Sequence, residues 1–239
     1  MYHSIIIGDK NTYDDWYLVS DGRLSVVMPN VKTNLVDIPG GSGTIDLSRL
    51  LTQYPVYENR TGEWLFHVLN EKPYTWNELY QKIANYIHGK RLSVKLEDDL
   101  DYYYEGIINL KNWTSNNDGT WSDITIEYIF DPYKYYKNLS TYTSQISNSS
   151  STININESNK IGRMPVIPDI NITNVGTGGI TLALTNAELG IYNKTKTYSA
   201  NGSYKEYDMV LSAINTNNVC YFTVTGTGKV TISFRKGDL

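Results

Sequence analysis

Three histidines, a run of carboxylates, a glycine-flanked lysine and two tryptophans are the residues of this chain whose types could do chemistry. His3, His67 and His88 could each serve a metal or a Ser-His-Asp constellation, but none stands at ligand spacing from another His or from the lone Cys220. Any such site would be built from residues distant in sequence. His67 sits in the strand-like Trp64-Leu65-Phe66-His67-Val68-Leu69 and reads as structural or interfacial rather than catalytic. His88 precedes the helix-ending Gly89, where its charge or its hydrogen bonding to the last carbonyls is a sufficient role. Glu97, Asp98, Asp99 and Asp101 supply the clustered oxygens that calcium or a glycosidase carboxylate pair needs, but without EF-hand spacing or a loop glycine they read as a solvated turn. Gly226-Thr227-Gly228-Lys229 shares the ending of a phosphate-binding loop. Thr223 replaces its first Gly, Val230 replaces its Ser/Thr and no helix pattern follows, so a hairpin turn is expected. Trp113 and Trp121 flank a polar loop, where they could stack on sugar rings or pack at a sheet edge. The residues therefore point to a non-enzyme with no catalytic residues, no metal and no cofactor.

The elements that must position these residues are bounded by composition. At 239 residues the chain can bury one large β domain or two modest ones. Charged residues at 19% and hydrophobic residues at 40% exclude both a disordered polyampholyte and a lipid-embedded protein. A net charge of -4 without a Lys/Arg run argues against sequence-specific nucleic-acid binding. One cysteine forbids an intrachain disulfide and fits a reducing cytoplasm, and Ile5-Ile6-Ile7 is too short for a signal-peptide core or a membrane span. Twenty-one Tyr against 4 Phe and 5 Trp put a hydroxyl on most large rings, which suits strands, interfaces and sugar platforms alike.

Thr75-Trp76-Asn77-Glu78 is a capping box, and Trp76, Leu79, Tyr80, Ile83 and Ile87 recur on one face until Gly89, predicting a helix over 76–88. Leu92, Val94 and Leu96, then Tyr102, Tyr104 and Ile108, alternate around the acidic run as a hairpin. A third strand carries Ile124, Ile126, Tyr128 and Phe130 after the turn-like 115–119. From Tyr135 to Asn159 apolar content collapses into Ser, Thr and Asn, which places a domain boundary near 140–150. Beyond it, Ile170/Ile172, Ile180/Leu182/Leu184, Tyr207/Met209/Leu211, Cys220/Phe222/Val224 and Val230/Ile232/Phe234 all have period two. The fold class expected is mainly β: an α+β first domain over 1–140 and an antiparallel β sandwich over 141–239.

The stretch between the early strands and the helix fits neither pattern. Pro39-Gly40-Gly41-Ser42-Gly43 interrupts an extended segment flanked by Leu35-Val36-Asp37-Ile38 and Tyr54-Pro55-Val56-Tyr57. Such an arm is a protruding hairpin or an insertion, and if it protrudes its apolar residues need another chain to cover them.

The run from Val36 to Ser48, followed by Pro55-Val56-Tyr57-Glu58-Asn59-Arg60, resembles the N-terminal domain of distal tail (Dit) proteins from long-tailed phages of Gram-positive bacteria. Ile87-His88-Gly89-Lys90-Arg91-Leu92, Tyr103-Tyr104-Glu105-Gly106, Trp113, Asp131-Pro132-Tyr133-Lys134-Tyr135 and the ending from Val230 to Leu239 extend the resemblance over nearly the whole chain. The resemblance implies a tail-tube-like, ring-forming first domain and a galectin-like β sandwich. It implies a homohexameric ring at the virion tail tip, assembled in the host cytoplasm, that caps a tube of the major tail protein and faces the tail-associated lysin, tail fibre or receptor-binding proteins. It gives the arm the role of a belt, with Leu35, Ile38, Pro39, Gly40, Gly43, Leu47, Tyr57 and Asn59 at the subunit interface, and it implies no membrane insertion. An acidic balance suits a DNA conduit, whose walls should not grip phosphates. A competing reading is a carbohydrate-binding protein contacting host cell-wall glycans through the C-terminal sandwich, with Trp113 and Trp121 as possible glycan contacts. A glycan-degrading enzyme built on Asp99 is the third.

Overall fold

Thr75 opens the helix as the sequence dictates: its hydroxyl accepts from the Glu78 amide while the Glu78 carboxylate accepts from the Thr75 amide. That reciprocal box satisfies two donors that a helix start otherwise leaves orphaned. In the computed structural model, which describes residues 3–20, 22–50, 52, 54–69, 75–115, 121–155, 164–211 and 220–239, the chain divides into two units, Met1–Lys134 and Tyr135–Leu239.

The first unit contains β1 (Ile5–Ile7), β2 (Lys10–Asn11), β3 (Leu18–Val19), β4 (Leu35–Asp37), β5 (Thr44–Asp46), β6 (Arg60–Leu69), α1 (Trp76–Ile87), β7 (Lys90–Leu96), β8 (Tyr102–Ser115) and β9 (Trp121–Phe130). Its antiparallel sheet runs β2-β1-β7-β8-β9-β6-β3. The β6–β9 register sets Trp64 opposite Ile126 and Phe66 opposite Ile124, so every second residue of both strands points inward. These residues, with Leu79, Ile83 and Ile87 of α1, form the core of the unit. Of the expected turn over 115–119, Ser115 is the last residue of β8, and 116–119 lie outside the described residues.

The second unit contains β10 (Lys134–Asn154), β11 (Asp169–Thr173), β12 (Ile180–Asn186), β13 (Ile191–Tyr198), β14 (Gly202–Lys205) and β15 (Cys220–Asp238), with a 3-10 turn at Ala187–Leu189. β15 pairs with β12 through Cys220–Gly226 and with β11 through Lys229–Ser233, so one strand serves two sheets. β13 and β14 are the outer partners of β12 and β11, giving an antiparallel β sandwich whose interior holds Ile170, Ile172, Leu182, Phe222, Val230 and Ile232.

Three sequence expectations change here. Gly226 to Lys229 is the bend of β15 where it passes between sheets, not a hairpin turn. Gly226 and Gly228 hold φ of 114° and 144°, and a Cβ on Gly226 would stand 2.3 Å from the Gly179 carbonyl oxygen, so only glycine fits this crossing. The polar stretch after Lys134 is a 21-residue strand, because its hydroxyls pair across strands, Thr141 with Ser233 at 3.3 Å and Thr143 with Thr231 at 3.2 Å. Tyr207 to Leu211 is a turn segment: Met209 and Leu211 are buried, but among the described residues its ladder is a single bridge between Val166 and Leu211.

Candidate functional site

The arm is a two-stranded ribbon. Among the described residues β4 and β5 pair only with each other, in the register Leu35–Asp46, Val36–Ile45, Asp37–Thr44. Pro39-Gly40 makes the reversal: the Gly41 amide donates to the Ile38 carbonyl at 3.0 Å and Gly40 takes φ of 72°, the arrangement of a type II turn. Below the strands the ladder continues through Leu47 N to Asn34 O, Lys32 N to Val56 O and Glu58 N to Asn30 O, each at 2.8 Å, with Val31 bridged to Tyr57. The Asp46 carboxylate accepts from the side chain and amide of Ser48, which holds its pKa below the ordinary value. Ser48 Oγ accepts in turn from the Asn34 amide.

What distinguishes the ribbon is what it leaves uncovered. Leu35, Val36, Ile38 and Ile45 are 55, 44, 39 and 51% exposed, and Val27, Met28, Val31 and Leu50 along the legs are exposed as well. Polar hydrogen bonds close the ribbon, and among the described residues these apolar side chains stay about half exposed. Of the residues assigned to the interface by resemblance, Leu35, Ile38, Pro39, Gly40, Gly43 and Asn59 are exposed. Leu47 is half-buried, and so is Tyr57, whose ring meets Tyr133 edge-on at 5.7 Å. Burial of Tyr133 pushes its hydroxyl pKa up to about 12. Val27, Met28, Val31, Ile45 and Leu50 were not singled out by sequence, because an isolated aliphatic residue carries no sign of exposure.

The residues with potential chemistry do not converge. His3 Nδ1 lies 2.5 Å from the Glu97 carboxylate, Arg23 bridges to Asp98 at 3.5 Å, and Lys134 meets Asp99 at 2.7 Å, so these carboxylates of the acidic turn are each met by basic side chains of other segments. The His3 contact holds Glu97 below its ordinary pKa. His67 Nδ1 faces Asp123 Oδ1 at 2.5 Å as a cross-strand pair of β6 and β9, beside a groove of 340 Å³ lined by Arg23, Glu63 and Trp64 among others. His88 accepts from the Leu110 amide at 3.2 Å, rather than donating to the last helical carbonyls. Half-buried Trp113 packs edge-on against Tyr80 at 5.2 Å and Trp76 at 6.0 Å, both on α1. The side chain of Trp121 lies outside the described residues. Among the described residues no group of three or more His, Cys, Asp or Glu could hold a metal ion, and no helix is long and apolar enough to cross a membrane.

No protein-family model and no curated protein matches the chain. Among solved structures, the crystal structure of the SPP1 Dit protein (gp 19.1), described as a paradigm of the hub adsorption apparatus in phages that infect Gram-positive bacteria, is similar to it. The TM-score is 0.63 over 98% of this chain and 99% of that chain, at 12% sequence identity. The two chains share a fold from end to end.

Proposed function

We propose that this chain is a structural protein of a phage tail, a hub subunit at the distal end of the tail tube, with no enzymatic role. The observation that carries the reading is the likeness to the SPP1 hub protein over 98% of this chain and 99% of that one, which includes both units rather than one common module. The exposed ribbon supports it from an independent direction, because a set of uncovered aliphatic residues on a self-paired hairpin suits contact with another chain.

In this reading six copies close into a ring, each arm lying on the next subunit as a repeated heterologous contact. One face of the ring meets the major tail protein and the other meets the tail-associated lysin, fibre or receptor-binding proteins, around a channel for DNA. The net charge of -4 agrees with a conduit that phosphates pass without sticking. Mass by light scattering after size exclusion, with negative-stain images of the peak, tests the proposal. Six copies of a 27.2 kDa chain give a ring of about 163 kDa. A monomer at all concentrations, in the presence of the major tail protein as well as alone, would overturn it.

A further inference from the structure

Arg60 is the first residue of β6, at the point where the returning leg of the arm enters the sheet, and it is only 1% exposed. A guanidinium taken out of water ordinarily meets a carboxylate. Arg60 instead donates from Nε to the Pro132 carbonyl at 2.8 Å and from Nη1 to the Val27 carbonyl at 3.1 Å, with Met28 Sδ at 3.7 Å. The Tyr104 ring lies 5.3 Å from its cationic carbon, and Nη2 has no hydrogen-bond partner among the described residues.

Val27 and Met28 belong to the outgoing leg. One side chain of the returning leg therefore ties the outgoing leg to the segment that follows β9 through main-chain oxygens. Two further side chains grip the same segment. Trp64 Nε1 donates to the Ser25 carbonyl at 2.8 Å, and the Val27 amide donates to the Tyr128 hydroxyl at 3.2 Å. Tyr128 reaches Val27 across Gly62, where an added Cβ would stand 2.3 Å from the hydroxyl oxygen. The side chains of Val27 and Met28 are 56 and 62% exposed, while Leu24 and Val26 just before them are partly buried against the core, so at Val27 and Met28 the backbone contacts take over from side-chain packing.

We propose that Arg60 is a positioning residue: with Tyr128 and Trp64 it forms a main-chain clamp that fixes the take-off of the arm in the free subunit, so that the arm docks already oriented. A planar guanidinium suits this because its rigid fork spans two carbonyls, which a lysine ammonium does not. An arm fixed in advance forfeits less conformational freedom on docking than a loosely hinged one. The functional consequence rests on reading the arm as an assembly element; the clamp itself does not.

Amide hydrogen exchange on the full chain tests the clamp. In Arg60→Met and Arg60→Lys, peptides covering residues 25–36 and 54–60 are expected to exchange roughly tenfold faster, the scale of one lost charge-assisted hydrogen bond, while α1 and β15 stay at wild-type rates. Tyr128→Phe is expected to give a smaller acceleration in the same peptides. Wild-type rates at the arm root in Arg60→Met, acceleration spread evenly over the whole first unit, or full rescue by Lys would each overturn the proposal. Should Arg60→Met fail to fold, Tyr128→Phe and Gly62→Ala decide in its place: acceleration confined to the arm root supports the clamp, and unchanged rates overturn it. Mass measured on the same samples, with and without the major tail protein, separates the two readings, since a wild-type monomer in both contradicts the ring while exchange still decides the clamp.

Discussion

Val36 and Ile172 are both aliphatic residues within short antiparallel strands, β4 and β11, yet Val36 is 44% exposed and Ile172 is fully buried. Strand pairing is satisfied in both places. The difference lies in the layer behind the strand. β11 sends Ile170 and Ile172 into the sandwich core, whereas β4 pairs with β5 and, among the described residues, its side chains join neither core cluster. Hydrogen bonds fix the shape of a ribbon, but burial of side chains supplies most of its stabilisation, about 1.5–3 kcal/mol for each fully buried aliphatic or aromatic side chain. The arm keeps its shape while much of that stabilisation is left unrealised in the subunit.

The comparison is broken most directly by truncation. Phe222→Ala in the sandwich interior is expected to lower stability by about 3–5 kcal/mol in urea denaturation, whereas Val36→Ala should stay within about 0.5 kcal/mol. A comparable loss at Val36 would mean that the ribbon is already covered within the subunit. Gly226→Ala probes the strand crossing that gives β11 its facing layer. The positive φ and the nearby Gly179 carbonyl predict a loss of about 1–3 kcal/mol, and a neutral result would contradict the crossing geometry. Thr75→Ala removes the capping box and should cost about 1 kcal/mol, read in the same denaturation.

The comparison is sharpened last by a pH dependence at the arm root. Tyr133 titrates near 10 when unfolded and about 12 when folded, because burial disfavours the phenolate. The folded state therefore retains the proton longer. Its contribution is complete below pH 10 and is lost as the pH rises from 10 toward 12. Tyr133→Phe should flatten the alkaline limb of a stability-against-pH curve over that window, and an unchanged limb would show that the ring is not desolvated as described.

The helix was legible in the sequence because capping chemistry and 3.6-residue periodicity agree from Thr75 to Ile87. The hairpin of β7 and β8 was legible for the same kind of reason, with alternation on either side of an acidic turn. β10 was obscured because Ser, Thr and Asn are common to linkers and to exposed strand faces, and only the partner strand decides which they become. β15 was divided in two because two nearby glycines signal a turn, whereas here they permit a strand to change sheets. At the candidate site, Pro39-Gly40 within an extended apolar stretch marked the arm. Nothing in the sequence marks Arg60 as buried, since a lone arginine reads as surface and its acceptors are main-chain oxygens far away in sequence.

The central claim is that the uncovered face of the arm joins one subunit to the next. We would measure the mass of the wild-type chain and of the Val36→Asp/Ile45→Asp double variant by light scattering over the same concentration range. These positions are chosen because both are exposed, whereas Leu47 is half-buried. The account predicts a closed ring of about 163 kDa for the wild type and a folded 27.2 kDa monomer for the variant. Rings of equal mass and stability in both proteins would contradict it.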